Sequence, residues 1–191
     1  MRRRDVRAEM VAGAARLLAT KGLDGTSFAE VLAATGAPRG STYHHFPGGK
    51  RELVQGAVEL AGERAMAALE PIRGEPAPVV IRRFLGLWRQ LLQVSDFGAG
   101  CAVLAVTVAA DDADLLVPVG RVFRAWRAQL GSLLQAGGVP IEQAPPLAAL
   151  ALASCEGAVV MARAEHGLEP LDLIETVLIA ATEAAMPLAG G

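Results

Sequence analysis

The residues best equipped for chemistry lie close together, between Arg39 and Lys50. Arg39, Ser41, Thr42, Tyr43, His44 and His45 crowd hydrogen-bonding side chains onto barely two helical turns, directly after a Gly36-Ala37-Pro38 break. A helix so short and polar buries little, so a polar partner is the simplest reason for it to exist. Donors and acceptors at that density suit base-pair edges, which the major groove of duplex DNA presents to an α-helix.

Other constellations are weaker. Cys155 and His166 are eleven residues apart on one expected helix, out of hydrogen-bond range for nucleophile and base. Asp111, Asp112 and Asp114 read as an acidic first turn that suits the positive end of a helix dipole. His44 and His45 are adjacent, so they diverge on a helix and make a poor metal pair. No phosphate loop or dinucleotide fingerprint is present. The chain therefore reads as a non-enzyme with no metal and no cofactor. A small helical enzyme using Cys155, Glu156 or His166 is the remote alternative.

The elements that hold the polar segment follow from local signals. Val6, Met10, Ala14, Leu17 and Leu18 recur at helical spacing from Asp5, and Lys21-Gly22 is a helix stop. Thr26-Ser27 caps a second helix at Phe28, with Glu30 three residues after Ser27 as in a capping box. Phe28, Val31 and Leu32 form its inner face, Gly36 ends it, and Pro38 starts the next piece where a missing N–H does no harm. Three helices with a tight turn between the second and third make a helix-turn-helix. Pro47-Gly48-Gly49 is a loop, and Lys50 to Leu69 is a longer helix with Leu53, Ala57, Leu60, Ala61 and Ala68 inward.

From Pro78 a larger body begins. Ile81, Phe84, Leu85, Trp88, Leu91 and Leu92 form an apolar stripe. Cys101 to Ala110 is an uncharged helix expected to be buried on all sides. The next helix opens near Asp111 and ends at Gly137-Gly138, with Pro118 near its start. Two more run from Pro145 to about His166, stopped by Gly167, and from Pro170 to the residue before Pro187. Both are rich in small residues and carry more apolar surface than one copy can hide, which predicts a homodimer through residues 145–166 and 170–186.

Composition agrees with an all-α chain of about nine helices. Apolar residues make up 52% of the 191, but aromatics only 4%, so the core is Ala, Leu and Val. Mean hydropathy is +0.37. The uncharged stretches, such as Phe97 to Ala110, fall short of the roughly 20 residues a membrane span needs. No apolar segment follows the basic start, and two cysteines do not make a disulfide framework. The expectation is a cytoplasmic protein with reduced thiols and no membrane partner. Net charge is −2 overall, but the first 50 residues hold eight basic and four acidic side chains and the remainder ten and sixteen. A basic head on an acidic body is the asymmetry expected when only the head meets phosphate.

Thr26-Ser27-Phe28, Val31, Thr35-Gly36-Ala37, Gly40, Tyr43-His44-His45-Phe46 and Lys50 with Leu53 together resemble the DNA-binding domain of tetracycline-repressor (TetR) family regulators. Gly100-Cys101, the Pro47-Gly48-Gly49 loop and the length are similar to the LmrA/YxaF-like branch of that family, responsive to lincomycin and flavonoids. The resemblance implies a helix-turn-helix domain over residues 1–50 and a ligand-binding and dimerisation domain over 51–191. It implies double-stranded operator DNA and a small apolar effector as partners.

Residue roles follow from side-chain chemistry and that resemblance. Arg39 suits a guanine edge or a phosphate, and Gly40 permits close backbone approach. Ser41, Thr42 and His44 are assigned to base edges or a thymine methyl. Thr42 stands where an aliphatic residue is usual and is expected on the DNA face. Tyr43, His45, Lys50 and Ser27 are assigned to phosphates, and Arg2, Arg3 and Arg4 to an arm near the minor groove. In the body, Trp88, Leu92, Phe97, Cys101, Val122, Phe123, Trp126 and Met161 are the candidate lining of an apolar ligand cavity, with Arg124, Arg127, Glu156 and Arg163 as polar anchors. A constitutive DNA-binding protein whose body is simply packed is the alternative.

Overall fold

The structure is a computed structural model that describes residues 5–187, apart from the side chains of Ser41 and Tyr43. The described elements are helical throughout. They are α1 (Val6–Lys21), α2 (Phe28–Thr35), a 3-10 turn (Arg39–Ser41) leading into α3 (Thr42–His45), and α4 (Gly49–Leu69). A second 3-10 turn (Glu70–Ile72) precedes α5 (Ala77–Val94), α6 (Ala102–Ala109), α7 (Ala113–Ala136), α8 (Ala144–Glu165) and α9 (Glu169–Ala185).

Local chemistry sets these boundaries. Asp5 caps α1 by accepting from the Ala8 amide at 3.0 Å. Gly22 ends α1 at φ 71°, a conformation that suits glycine. The left-handed residue that ends α8 is His166 (φ 53°), not Gly167 as expected. The Gly167 amide follows it and donates to the Ala162 carbonyl at 3.2 Å.

Two compact units emerge. The first joins residues up to 64 with 101–122, and the second joins 65–100 with 123 onward. The boundary expected at residue 50 is therefore not where the units divide. A cut there would sever α4 in its first turn, whose Leu53, Val54, Ala57 and Val58 complete the first unit's core.

In the first unit, Met10, Ala14 and Leu18 of α1 are buried with Val31, Phe46, Val103 and Val106. Full burial of the side chains larger than alanine among these stabilises by roughly 1.5–3 kcal/mol each before entropy is counted. α6 packs on α1. It is not buried on all sides: Val108 is 77% exposed, because only the Ala102, Val103 and Val106 side of this short helix is covered. Ala68 of α4, expected inward, is exposed.

In the second unit, α8 packs against α9 and α5 against both. Of the α5 stripe, Ile81, Phe84, Leu85 and Leu92 are buried and Trp88 and Leu91 half-buried, and Val80 joins the buried face. Small residues of α8 (Ala148, Ala151, Cys155, Ala158, Ala162) line its buried face. By length and composition α8 is apolar enough to cross a membrane, contrary to the expectation from uncharged stretches alone. Much of its apolar surface is used in helix contacts within the unit, and the helix carries Glu156 and Arg163.

Candidate nucleic-acid interface

The polar segment is built onto α2 through a short turn. Ser27 caps α2, its hydroxyl accepting from the Glu30 amide at 3.2 Å. The Glu30 carboxylate meets Lys21 at the end of α1. Thr35 stabilises the turn from both sides. Its hydroxyl donates to the Val31 carbonyl at 2.7 Å and accepts from the Ala37 amide at 3.3 Å. Gly36 between them sits at φ 65°, where a β-carbon would be strained. α1 crosses closely here, since a β-carbon on Gly13 would collide with the Thr35 methyl.

Beyond the turn, the side chains divide by exposure. Arg39, Gly40 and His44 are exposed, and His45 is half-buried with its ring edge-on to His44 at 5.3 Å. A β-carbon on Gly40 would meet open space, so the backbone there is approachable. Thr42 is not on the outer face. It is 4% exposed, and its hydroxyl donates to the Arg39 carbonyl at 3.1 Å. That corrects the expectation that it meets DNA: the threonine occupies the buried place of the more usual aliphatic residue, and a local hydrogen bond satisfies its hydroxyl. The side chains of Ser41 and Tyr43, and all of Arg2, Arg3 and Arg4, lie outside the described residues.

The segment's far end is tied back to α1. Lys50 is exposed, but its ammonium donates to the Leu23 carbonyl at 2.9 Å, holding α4 to the loop after α1. An ammonium has three donors, so this bond leaves others for an anion. The Glu52 carboxylate accepts from the Gly48 amide at 3.0 Å and from Arg7 at 3.3 Å. The Arg7 guanidinium also lies over the ring of buried Phe46, 5.2 Å from its centroid. Sequence reading missed Arg7 and Glu52 as positioning groups. An acid in the first turn of α4 was the available signal, since such residues reach back to amides ahead of a helix.

The candidate ligand residues fare unevenly. Cys101 and Val122 belong to the first unit and the others to the second. Cys101 accepts from the Leu104 amide at 3.3 Å as the cap of α6. In the second unit Leu92 is fully buried and Trp126 nearly so, with Phe123 edge-on to Trp126 at 5.7 Å. Trp88 and Phe97 are half-buried, and Phe97 lies against His166 at 5.0 Å. Met161 is 46% exposed on α8, which removes it from any interior lining. Among the anchors, Arg163 donates to the Phe97 and Gly98 carbonyls, Glu156 is buried, and Arg124 and Arg127 are exposed.

Arg89, not anticipated, is the central charge of the second unit. It bonds Asp172 at 2.7 Å and also Glu175. Burial disfavours its charged form, but those hydrogen bonds outweigh it and raise its pKa. Burial, and then Glu156, push the nearby Cys155 thiol well above its ordinary range, against a smaller opposite pull from Arg89. Both cysteines are buried and neither is in a disulfide, and no metal-binding cluster occurs among the described residues.

Comparison with known proteins places this geometry. Residues 10–57 match the model of bacterial regulatory proteins of the tetR family, and residues 78–177 match the C-terminal domain of LmrA/YxaF-like transcriptional regulators. An uncharacterized HTH-type transcriptional regulator of Mycobacterium tuberculosis (strain ATCC 25618 / H37Rv) is 37% identical, covering 90% of this chain and 91% of its own. The HTH-type transcriptional repressor DhaR of Mycobacterium sp. (strain GP1) is 26% identical over 98% of this chain and 96% of its own. Among solved structures, a TetR transcriptional regulator from Chloroflexus aurantiacus superposes with a TM-score of 0.78 at 30% identity, covering 97% of this chain and 98% of that one.

Proposed function

The chain belongs to the TetR family of DNA-binding transcriptional regulators, and from that premise we propose that it is a homodimeric, cytoplasmic repressor released from a palindromic operator by a small apolar effector. The observation that carries the DNA reading is the outward set of Arg39, Gly40 and His44 on a segment tied at both ends. Arg39 reads a guanine edge or holds a phosphate, His44 reaches base edges, and His45 and Lys50 hold phosphates. Ser27 still has its hydroxyl proton to donate to a phosphate at the start of α2. By residue type, Ser41 is assigned to a base edge and Tyr43 to a phosphate.

Dimerisation through α8 and α9 is supported by two outward apolar stripes at helical spacing. Leu150, Val160 and Met161 are about half exposed, beside exposed Ala153 and Gly157. On α9, Leu173 and Val177 are 62% and 64% exposed, beside Ala180 and Ala184. A β-carbon on Gly157 would meet open space, so a partner helix can approach there. The dimer spaces two reading segments about 34 Å apart, one turn of DNA.

The effector binds among Trp88, Leu92, Phe123 and Trp126 and shifts the helix beginning at Gly49. A preference of ~3 kcal/mol for the released state weakens operator binding about a hundredfold. The repressor sign follows the description of DhaR. Full burial of Leu92 favours a second reading, a constitutive binder with a packed body. The test is selection of bound fragments from genomic DNA, then a compound screen for release. Enrichment of one palindrome with release by an apolar compound is expected. Failure to enrich any sequence would sink the DNA reading, and enrichment without release by any compound would favour the constitutive one.

A further inference from the structure

Four residues of α4, Arg51, Gln55, Glu59 and Gly62, fall on one helical face, and all meet the stretch from Asp112 to Val122. Arg51 pairs with Asp114 at 2.8 Å and with Asp112 at 3.5 Å. Glu59 pairs with Arg121 at 3.1 Å. At Gly62 the helices touch, since a β-carbon there would lie 2.9 Å from both Val122 methyls. Gln55 makes the telling contact: its amide donates to the Asp114 carbonyl at 3.4 Å. That carbonyl would ordinarily accept from the residue four positions on, which is Pro118 and has no N–H. The proline inside α7 thus frees an acceptor that α4 uses.

From this we infer that Arg51, Gln55 and Glu59, with Asp112, Asp114 and Arg121, form an ionic seam that positions the DNA-reading segment without touching DNA. The inference rests on the DNA reading above. Next to Arg51, Glu52 holds the loop that follows the segment and Lys50 ties α4 to the loop after α1. Roughly 18 Å of helix separates Gly62 from Lys50, so a tilt of about 5° about the close contact moves that end by about 1.5 Å. A displacement of that size breaks hydrogen bonds to base edges. Exposed pairs are individually weak, so the seam sets direction and adds little to folding.

The sign of one experiment separates positioning from bulk charge. By charge alone, removing two acids tightens binding to a polyanion. The seam predicts the reverse. Asp112→Asn with Asp114→Ala keeps a capping side chain at 112, and weakens affinity for a genomic fragment selected by the wild-type protein about three- to tenfold. The charge swap Arg51→Asp with Asp114→Arg returns affinity to within about twofold of wild type, a recovery that lost stability alone would not give. Unchanged or tighter binding by the acid variant, or no recovery in the swap, overturns the seam. Arg39→Ala, run alongside, keeps the two ideas apart. If it abolishes binding while the seam variants have no effect, only the seam fails. If it binds normally, the DNA reading fails and the seam has nothing to position.

Discussion

Replacing Gly13 by alanine tests how the reading segment is held. In an ordinary helix interior the change stabilises by about 0.8–1 kcal/mol. Here the new methyl collides with the Thr35 methyl across the α1–α2 crossing. Rotating Thr35 away relieves the clash only by breaking its hydroxyl bonds to Val31 and Ala37, each contributing about 1 kcal/mol. Keeping Thr35 in place instead pushes the helices apart, an overpacking cost of about 1–3 kcal/mol. The net expectation is a loss of about 1 kcal/mol, or roughly 2–4 °C in the thermal midpoint, with weaker DNA binding because Thr35 anchors the turn before Arg39. The check is a double-mutant cycle with Thr35→Ser, which removes the methyl and keeps the hydroxyl. Gly13→Ala with Thr35→Ser should recover at least the lost stability, as read by thermal unfolding. A single Gly13→Ala variant that is more stable than wild type and binds DNA equally well would refute the packing argument.

Three further outcomes follow from the same structure. Thr42→Ser, which keeps the hydroxyl on the Arg39 carbonyl, should bind DNA within about threefold of wild type, whereas Thr42→Val should lose about 1 kcal/mol of stability in thermal unfolding. Val177→Asp places a charge in the exposed stripe of α9 and should turn the proposed dimer into monomer in sedimentation; an unchanged dimer would move the interface elsewhere. Because the thiolate is the reactive form and the Cys155 pKa is raised, neither buried cysteine should react with a thiol reagent at pH 7 until denaturant is added; rapid reaction of the native protein would contradict that burial.

The fold was legible where signals were local. Ser27, Gly22 and Gly36 act as caps and stops within one turn of themselves, and the α5 stripe needs only helical spacing. What escaped depended on distant partners. Thr42 looks solvent-facing by residue type, yet the three-helix core takes its methyl and a neighbouring carbonyl takes its hydroxyl. The ties from Arg7 to Glu52 and from Lys50 to Leu23 link residues far apart in the chain, which no periodicity reports. Uncharged α6 reads as buried, but a single helix has only one face against α1. Pro118 is legible only as a proline near the helix start, because the carbonyl it frees is used by Gln55 on a distant helix.

The most direct test of the account is the affinity of Arg39→Ala for a fragment selected by the wild-type protein, measured by fluorescence anisotropy over a range of salt. An arginine–guanine contact discriminates by about 1–3 kcal/mol, and a dimer makes two, so a loss of about 30-fold or more is predicted while thermal stability stays unchanged. Wild-type affinity should fall steeply with salt. Binding by Arg39→Ala within twofold of wild type, at every salt concentration, would contradict the claim that this segment reads DNA.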